Sequence, residues 1–124
     1  MSEKILHKQV CQYLRLQYPN VLFNSDLAGA TKLTMGQAVA MKSLRSNRGF
    51  PDIAIYEPRH GMPGLFIELK AEGTKLYKKD GVTPATPHLA EQMDCIHKLT
   101  ERGYYARICV GFDQTRMIID EYLK

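Results

Sequence analysis

Three ionic side chains stand where two otherwise apolar stretches would be expected to hold none. Asp52 opens the run Ile53-Ala54-Ile55, and Glu68 and Lys70 sit two apart in Leu65-Phe66-Ile67-Glu68-Leu69-Lys70. In an extended chain alternate residues share a face, so Glu68 and Lys70 project together while Ile67 and Leu69 point the other way into a core. If the two stretches pair as a hairpin, a modest choice of register brings the Asp52 carboxylate within reach of Glu68. Two carboxylates at that separation repel, so one takes up a proton, the pair splays apart, or a cation joins them. An all-oxygen donor set favours Mg²⁺ or Mn²⁺ over Zn²⁺. Lys70 would then face an attacking water or a phosphate and offset charge in the transition state, an arrangement suited to phosphodiester hydrolysis. The competing reading is a structural Glu68–Lys70 ion pair on a solvated strand face.

The elements that must position these residues follow from periodicity. Apolar residues at Ile5, Leu6, Val10, Tyr13, Leu14 and Leu16 predict a first helix between Ser2 and Tyr18, with Ser2 as cap and Glu3 in an acidic first turn. VLFNSD (Val21 to Asp26) predicts a short strand leading into the glycine-containing loop LAGATK. Thr34 caps a second helix to about Arg45, with Met35, Val39, Met41 and Leu44 as an imperfect apolar stripe. Asp52 to Tyr56 and Leu65 to Lys70 form a hairpin with a long Pro/Gly turn. Ala71 to His88 carries Gly73, Gly81, Pro84 and Pro87 and predicts an exposed, mobile loop. A helix from Leu89 to Arg102 closed by Gly103, a strand from Tyr104 to Val110 and a helix from Asp113 to Leu123 complete the chain.

The chain has 124 residues and is 44% hydrophobic, which predicts one domain over 1–124. The net charge of +4 makes a polyanionic partner plausible. Cys11, Cys95 and Cys109 are odd in number and widely separated, so reduced, buried thiols are expected rather than a disulfide framework or zinc site. No apolar run approaches the roughly 20 residues that span a bilayer, which predicts no membrane association and a cytoplasmic location, the host cytoplasm if the chain is phage-encoded. His7, His60, His88 and His97 lack metal-ligand spacing and read as surface or partly packed residues. Lys42, Arg45 and Arg48, with Lys75, Lys78 and Lys79 around Tyr77, are candidate phosphate contacts, although a solvated face explains each of them as well.

Pro51-Asp52 followed by Glu68-Leu69-Lys70 resembles the PD-(D/E)XK nucleases, and the closer likeness is to the VRR-NUC domain in its small stand-alone phage and bacterial form. The likeness runs from an E-x-x-L-x-x-x-V-x-x-x-L helix (Glu3, Leu6, Val10, Leu14), through G-x-P-D (Gly49 to Asp52) and I-E-L-K (Ile67 to Lys70), to a helix with Gln92. It ends in a G-Y-x-A strand (Gly103, Tyr104, Ala106) and Tyr122-Leu123. It implies an α/β, restriction-endonuclease-like core, a small mixed sheet flanked by helices. Asp52, Glu68 and the Leu69 carbonyl would bind Mg²⁺, with Mn²⁺ able to substitute, and Lys70 would be the catalytic lysine. Glu3 would reach the metal from the first helix, and Gln92 would position Lys70 or the phosphate. His7 stands where members often have glutamine. The implied activity is a Mg²⁺-dependent, structure-selective DNA endonuclease acting as a homodimer on branched DNA such as four-way junctions. The alternatives are another PD-(D/E)XK repair nuclease, cutting flaps or ends, and a non-catalytic DNA-binding module on the same fold.

Overall fold

The structure, a computed structural model, describes residues 2–26 and 32–124. The glycine-containing loop expected after the first strand therefore lies, apart from Lys32, outside the described residues. Chain order is α1 (Glu3–Gln17), β1 (Phe23–Ser25), α2 (Met35–Ser43), β2 (Ile53–Ile55), β3 (Leu65–Lys70), α3 (Pro87–Glu101), β4 (Tyr105–Val110) and α4 (Gly111–Leu123). The strands form one mixed sheet in the order β1-β2-β3-β4, antiparallel for the first two pairings and parallel for β3 with β4. The parallel pair is joined by the α3 crossover, the usual requirement for strands that run the same way. This is the α/β mixed sheet flanked by helices that the sequence predicts.

One face of the sheet is a continuous apolar core. Leu6, Val10 and Leu14 of α1 and Ile118, Ile119 and Tyr122 of α4 pack on Ile53, Ile55, Leu65, Ile67 and Leu69, all but Ile118 at most 1% exposed. The two helices are tied together at Asp120, whose Oδ1 accepts hydrogen bonds from the Tyr13 and Tyr18 hydroxyls at 2.7 and 2.6 Å. Tyr122 crosses the core and donates to the Glu57 carbonyl at 2.7 Å, pinning the β2–β3 turn to α4. All three cysteines are buried free thiols. None of the described helices is long and apolar enough to cross a membrane.

Three local expectations change. The apolar stripe of α2 meets no core: the helix is capped by a Thr34–Gln37 box but buries no residue, and Met35 and Leu44 are more than four-fifths exposed. Pro87 begins α3 instead of ending the loop before it, because a proline in the first helical turn gives up an N–H that has no intrahelical partner anyway. The Thr86 hydroxyl accepts from the Leu89 N–H and completes that cap. The segment before it is exposed as expected but is organised by its own hydrogen bonds. Tyr77 bridges Pro84, and Asp80 accepts from the Val82 and Thr83 N–H groups.

Candidate active site

The register of β2 with β3 decides what Asp52 can touch. Ile53 pairs with Ile67, so the residue before Ile53 lies level with Glu68 and Leu69. Asp52 is fixed there at both ends. Its carbonyl accepts from the Asp26 N–H at 2.7 Å, extending the β1–β2 pairing, and its Oδ2 accepts from the Leu69 N–H at 2.8 Å. Gly49 sets the approach of the chain to this point. It adopts φ +77°, and a β-carbon there would lie 2.8 Å from the Gln92 backbone, so only glycine lets the segment before Pro51 rest directly on α3.

Glu68 and Lys70 share the sheet face opposite the apolar core, as alternation requires, but that face is closed over them. Glu68 is 2% exposed and Lys70 7%, with Lys70 Nζ 3.8 Å from Glu68 Oε2. A solvated surface ion pair is therefore not what the strand carries. Glu3, on the first turn of α1, reaches around the sheet end to stand 3.9 Å from Lys70 Nζ, its own side chain half exposed. Glu3, Asp52, Glu68 and Lys70 are thus gathered from α1, the start of β2, and β3.

The electrostatics of this cluster are unbalanced. Burial drives the Glu68 carboxyl far above the usual carboxylate range, to about 10; the charge of Asp52 and a hydrogen bond shared with it push the same way, and Lys70 opposes. Without a further cation that shift favours the protonated form of Glu68. Glu68 Oε1 is buried with no hydrogen-bond partner, an arrangement that ordinarily costs about 1–3 kcal/mol. An orphaned carboxylate oxygen beside a second carboxylate suits a hard divalent cation, which would displace that proton and satisfy the oxygen. No three His, Cys, Asp or Glu side chains converge on one point among the described residues. Asp52 and Glu68 could thus hold such an ion only with a backbone carbonyl or water completing its shell.

Two further polar residues are buried beside these elements. Gln92 of α3 is 5% exposed with Oε1 unpartnered, and His7, one turn beyond Glu3 on α1, is 2% exposed with Nε2 unpartnered. His7, expected as a surface or partly packed residue where similar proteins often have glutamine, is fully packed. The only available signal was its position within the apolar Leu6, Val10 and Leu14 face. Of the basic candidates, Lys42, Arg45 and Arg48 line a cavity of about 750 Å³ between α2 and the start of α3, together with His88 and Glu91. Arg45 is also paired with Asp26. Lys75, Lys78 and Lys79 are exposed on the loop before α3 and are not gathered to the carboxylates.

Buried Glu68 and Lys70 and half-buried Asp52 thus stand together at one end of a mixed α/β sheet. A solved structure of a "VRR_NUC domain protein" is similar over 99% of this chain and 88% of its own length, with a TM-score of 0.70 and 22% sequence identity. The chain therefore has the VRR-NUC nuclease-like fold. No family sequence model and no curated protein sequence matches it.

Proposed function

We propose that this protein is a divalent-metal-dependent DNA endonuclease of the VRR-NUC type within the PD-(D/E)XK superfamily. Its proposed substrate is branched DNA such as four-way junctions, and it acts as a homodimer, since cutting two strands symmetrically calls for two copies of so small a domain. The observation that carries the reading is half-buried Asp52 beside buried Glu68, whose orphaned oxygen and partner Lys70 complete the group. A binding module gains nothing from two acids set beside a phosphate path.

Mg²⁺, or Mn²⁺ in its place, would be held by Asp52, Glu68 and the Leu69 carbonyl, with Glu3 reaching it through a water, and would supply Lewis-acid polarisation of the phosphate and an attacking water of lowered pKa. The chain's own groups do the rest. The Leu69 N–H fixes the rotamer of Asp52, so its carboxylate is aimed before substrate arrives. Lys70, held by Glu68 and Glu3, orients the attacking water and offsets the charge that builds on the phosphoryl oxygens. Gln92, buried on α3, offers its amide to Lys70 or to the phosphate. Lys42, Arg45 and Arg48 bind flanking phosphates, and Lys75, Lys78 and Lys79 add contacts along the duplex arm.

The test is a panel of labelled four-way junctions, flaps, nicked and linear DNAs incubated with Mg²⁺, Mn²⁺ or EDTA. Cleavage of the branched substrates with either metal and none with EDTA is expected. Lys70→Ala should slow cleavage by roughly 10²–10³-fold or more while keeping most junction affinity, and Asp52→Asn should abolish cleavage. Undiminished cutting by either variant would remove these residues from the mechanism.

A further inference from the structure

The face that carries the carboxylates continues beyond them. Alternation puts Ala54 and Tyr56 in the row begun by Asp52, and Phe66 in the row of Glu68 and Lys70, with Ala54 directly opposite Phe66. The ring of Phe66 meets Tyr56 edge to face at 6.5 Å and Tyr104 at 5.0 Å, a run of three aromatic rings across the sheet. α3 covers the β4 side of this face and leaves the β2 side open, where Tyr56 is 54% exposed. Ala54 keeps the floor low. The result is a groove of about 670 Å³ that starts at Asp52, runs past Ala54 to Tyr56 and Phe66, and has Leu44 and Arg45 on its far wall.

Cations border this apolar slot. Arg45, paired with Asp26 of the groove wall, and Ser46 line both the aromatic groove and the neighbouring cavity, which holds Lys42, His88 and an Arg48 that faces Glu91. Lys42, Arg45 and Arg48 therefore flank an aromatic slot that has the Asp52 carboxylate at one end. Polyanionic backbone beside flat apolar rings is the pairing that single-stranded nucleic acid presents, because its bases are free to leave the stack. A paired duplex keeps its bases inside and offers the slot only sugar and phosphate.

We propose that the groove takes the base of an unpaired nucleotide next to the bond that is cut, seating it against Tyr56 and Phe66 with Leu44 opposite, so that the protein selects DNA with a splayed or single-stranded nucleotide at the cleavage position. The word "cut" rests on the nuclease reading above. The recognition does not, because binding is measured without cleavage.

The experiment compares affinities in EDTA by fluorescence anisotropy for three labelled DNAs: a fully paired duplex, the same duplex with a three-nucleotide single-stranded gap, and that gap made abasic. The wild type should bind the gapped DNA roughly tenfold or more tightly than the other two, the range expected for one base stacked on an aromatic side chain. Tyr56→Ala should shrink that ratio toward one, and Tyr56→Phe should retain it. Leu44→Ala, at a side chain 83% exposed, should narrow the ratio without loss of fold, and it decides the matter if Tyr56→Ala melts. Equal affinity for the gapped and abasic DNAs, or a ratio that neither Tyr56→Ala nor Leu44→Ala changes, overturns the proposal and leaves the exposed slot to a protein partner. A wild type that shows no such ratio yet cleaves with Mg²⁺ refutes the groove alone, whereas a wild type that shows the ratio and cleaves no DNA refutes the nuclease reading alone.

Discussion

The two faces of the sheet grow from the same strands and are finished differently. On the α1–α4 face the packed side chains are apolar with the exception of a few polar groups such as His7, and the half-buried carboxylate, Asp120, receives two tyrosine hydroxyls with Arg116 and Lys124 nearby. On the other face the carboxylate is Glu68, buried more deeply, with one oxygen unpartnered and a second acid beside it. The helix over that side, α2, buries nothing, and Tyr56 stands in the open. The carboxylate of the first face is satisfied by the protein, although His7 Nε2 on α1 is not. The second holds polar atoms that protein does not satisfy, and such atoms persist where a ligand makes up the difference.

The contrast is broken most strongly by attacking packing. Ile119→Ala, at a side chain with no exposed surface, should cost about 2–5 kcal/mol in urea unfolding. Val39→Ala on α2 should stay within about 0.5 kcal/mol. A comparable loss at both positions would mean that α2 packs on something within the chain. Gly49→Ala attacks the join between the faces. It forces a side chain into the left-handed region and against the α3 backbone, so a loss of about 2–3 kcal/mol is expected, together with displacement of Gln92 and weakened cleavage. Unaltered stability would show that α3 shifts freely.

Sequence reading served the apolar face far better than the one that carries the carboxylate pair. The 3.6-residue spacing of Leu6, Val10 and Leu14 and the alternation of Ile67 and Leu69 report burial directly, because an apolar side chain has only one favourable destination. The same alternation placed Glu68 and Lys70 together and, through the hairpin, brought Asp52 to Glu68. What it could not report was depth. Whether Glu68, Gln92 and His7 are solvated depends on α1 and α3 closing over them, a matter of tertiary packing that leaves no local pattern. Met35, Val39 and Leu44 misled in the opposite sense: their spacing indicates a helix but not whether anything lies against it. Nor does the strand pattern tell whether Tyr56 is covered; that follows from the absence, among the described residues, of a helix packed over the β2 side.

Asp120 offers a smaller test, through pH. Burial pushes its carboxyl upward, but hydrogen bonds from Tyr18 and Tyr13 and the charges of Lys124 and Arg116 outweigh this and leave it below the usual carboxylate range. A carboxyl lowered by folding adds stability that is complete above its unfolded value, near 3.9, and fades as pH falls through the lower folded value. Asp120→Ala should therefore cost roughly 1–2 kcal/mol at pH 7, and the gap from wild type should shrink in acid below about pH 4. A gap that is constant from pH 7 to pH 2 would assign the loss to packing alone.

Glu68→Gln should give the smallest change in stability and the clearest difference between the faces. The amide matches the protonated carboxyl that burial favours and can likewise donate to Asp52, so in EDTA the variant should melt within about 0.5 kcal/mol of wild type, or slightly above it, where Asp120→Ala falls below. Added Mg²⁺ then separates them. An ion bound by the native state alone stabilises it by about 1.4 kcal/mol at ten times its dissociation constant, which raises the melting temperature of a domain this size by several degrees. The wild type should show that rise, and Glu68→Gln, with one ligand carboxylate gone, should lose most of it. Equal shifts in the two proteins would place the ion elsewhere and would leave the orphaned Glu68 oxygen without a ligand to account for it.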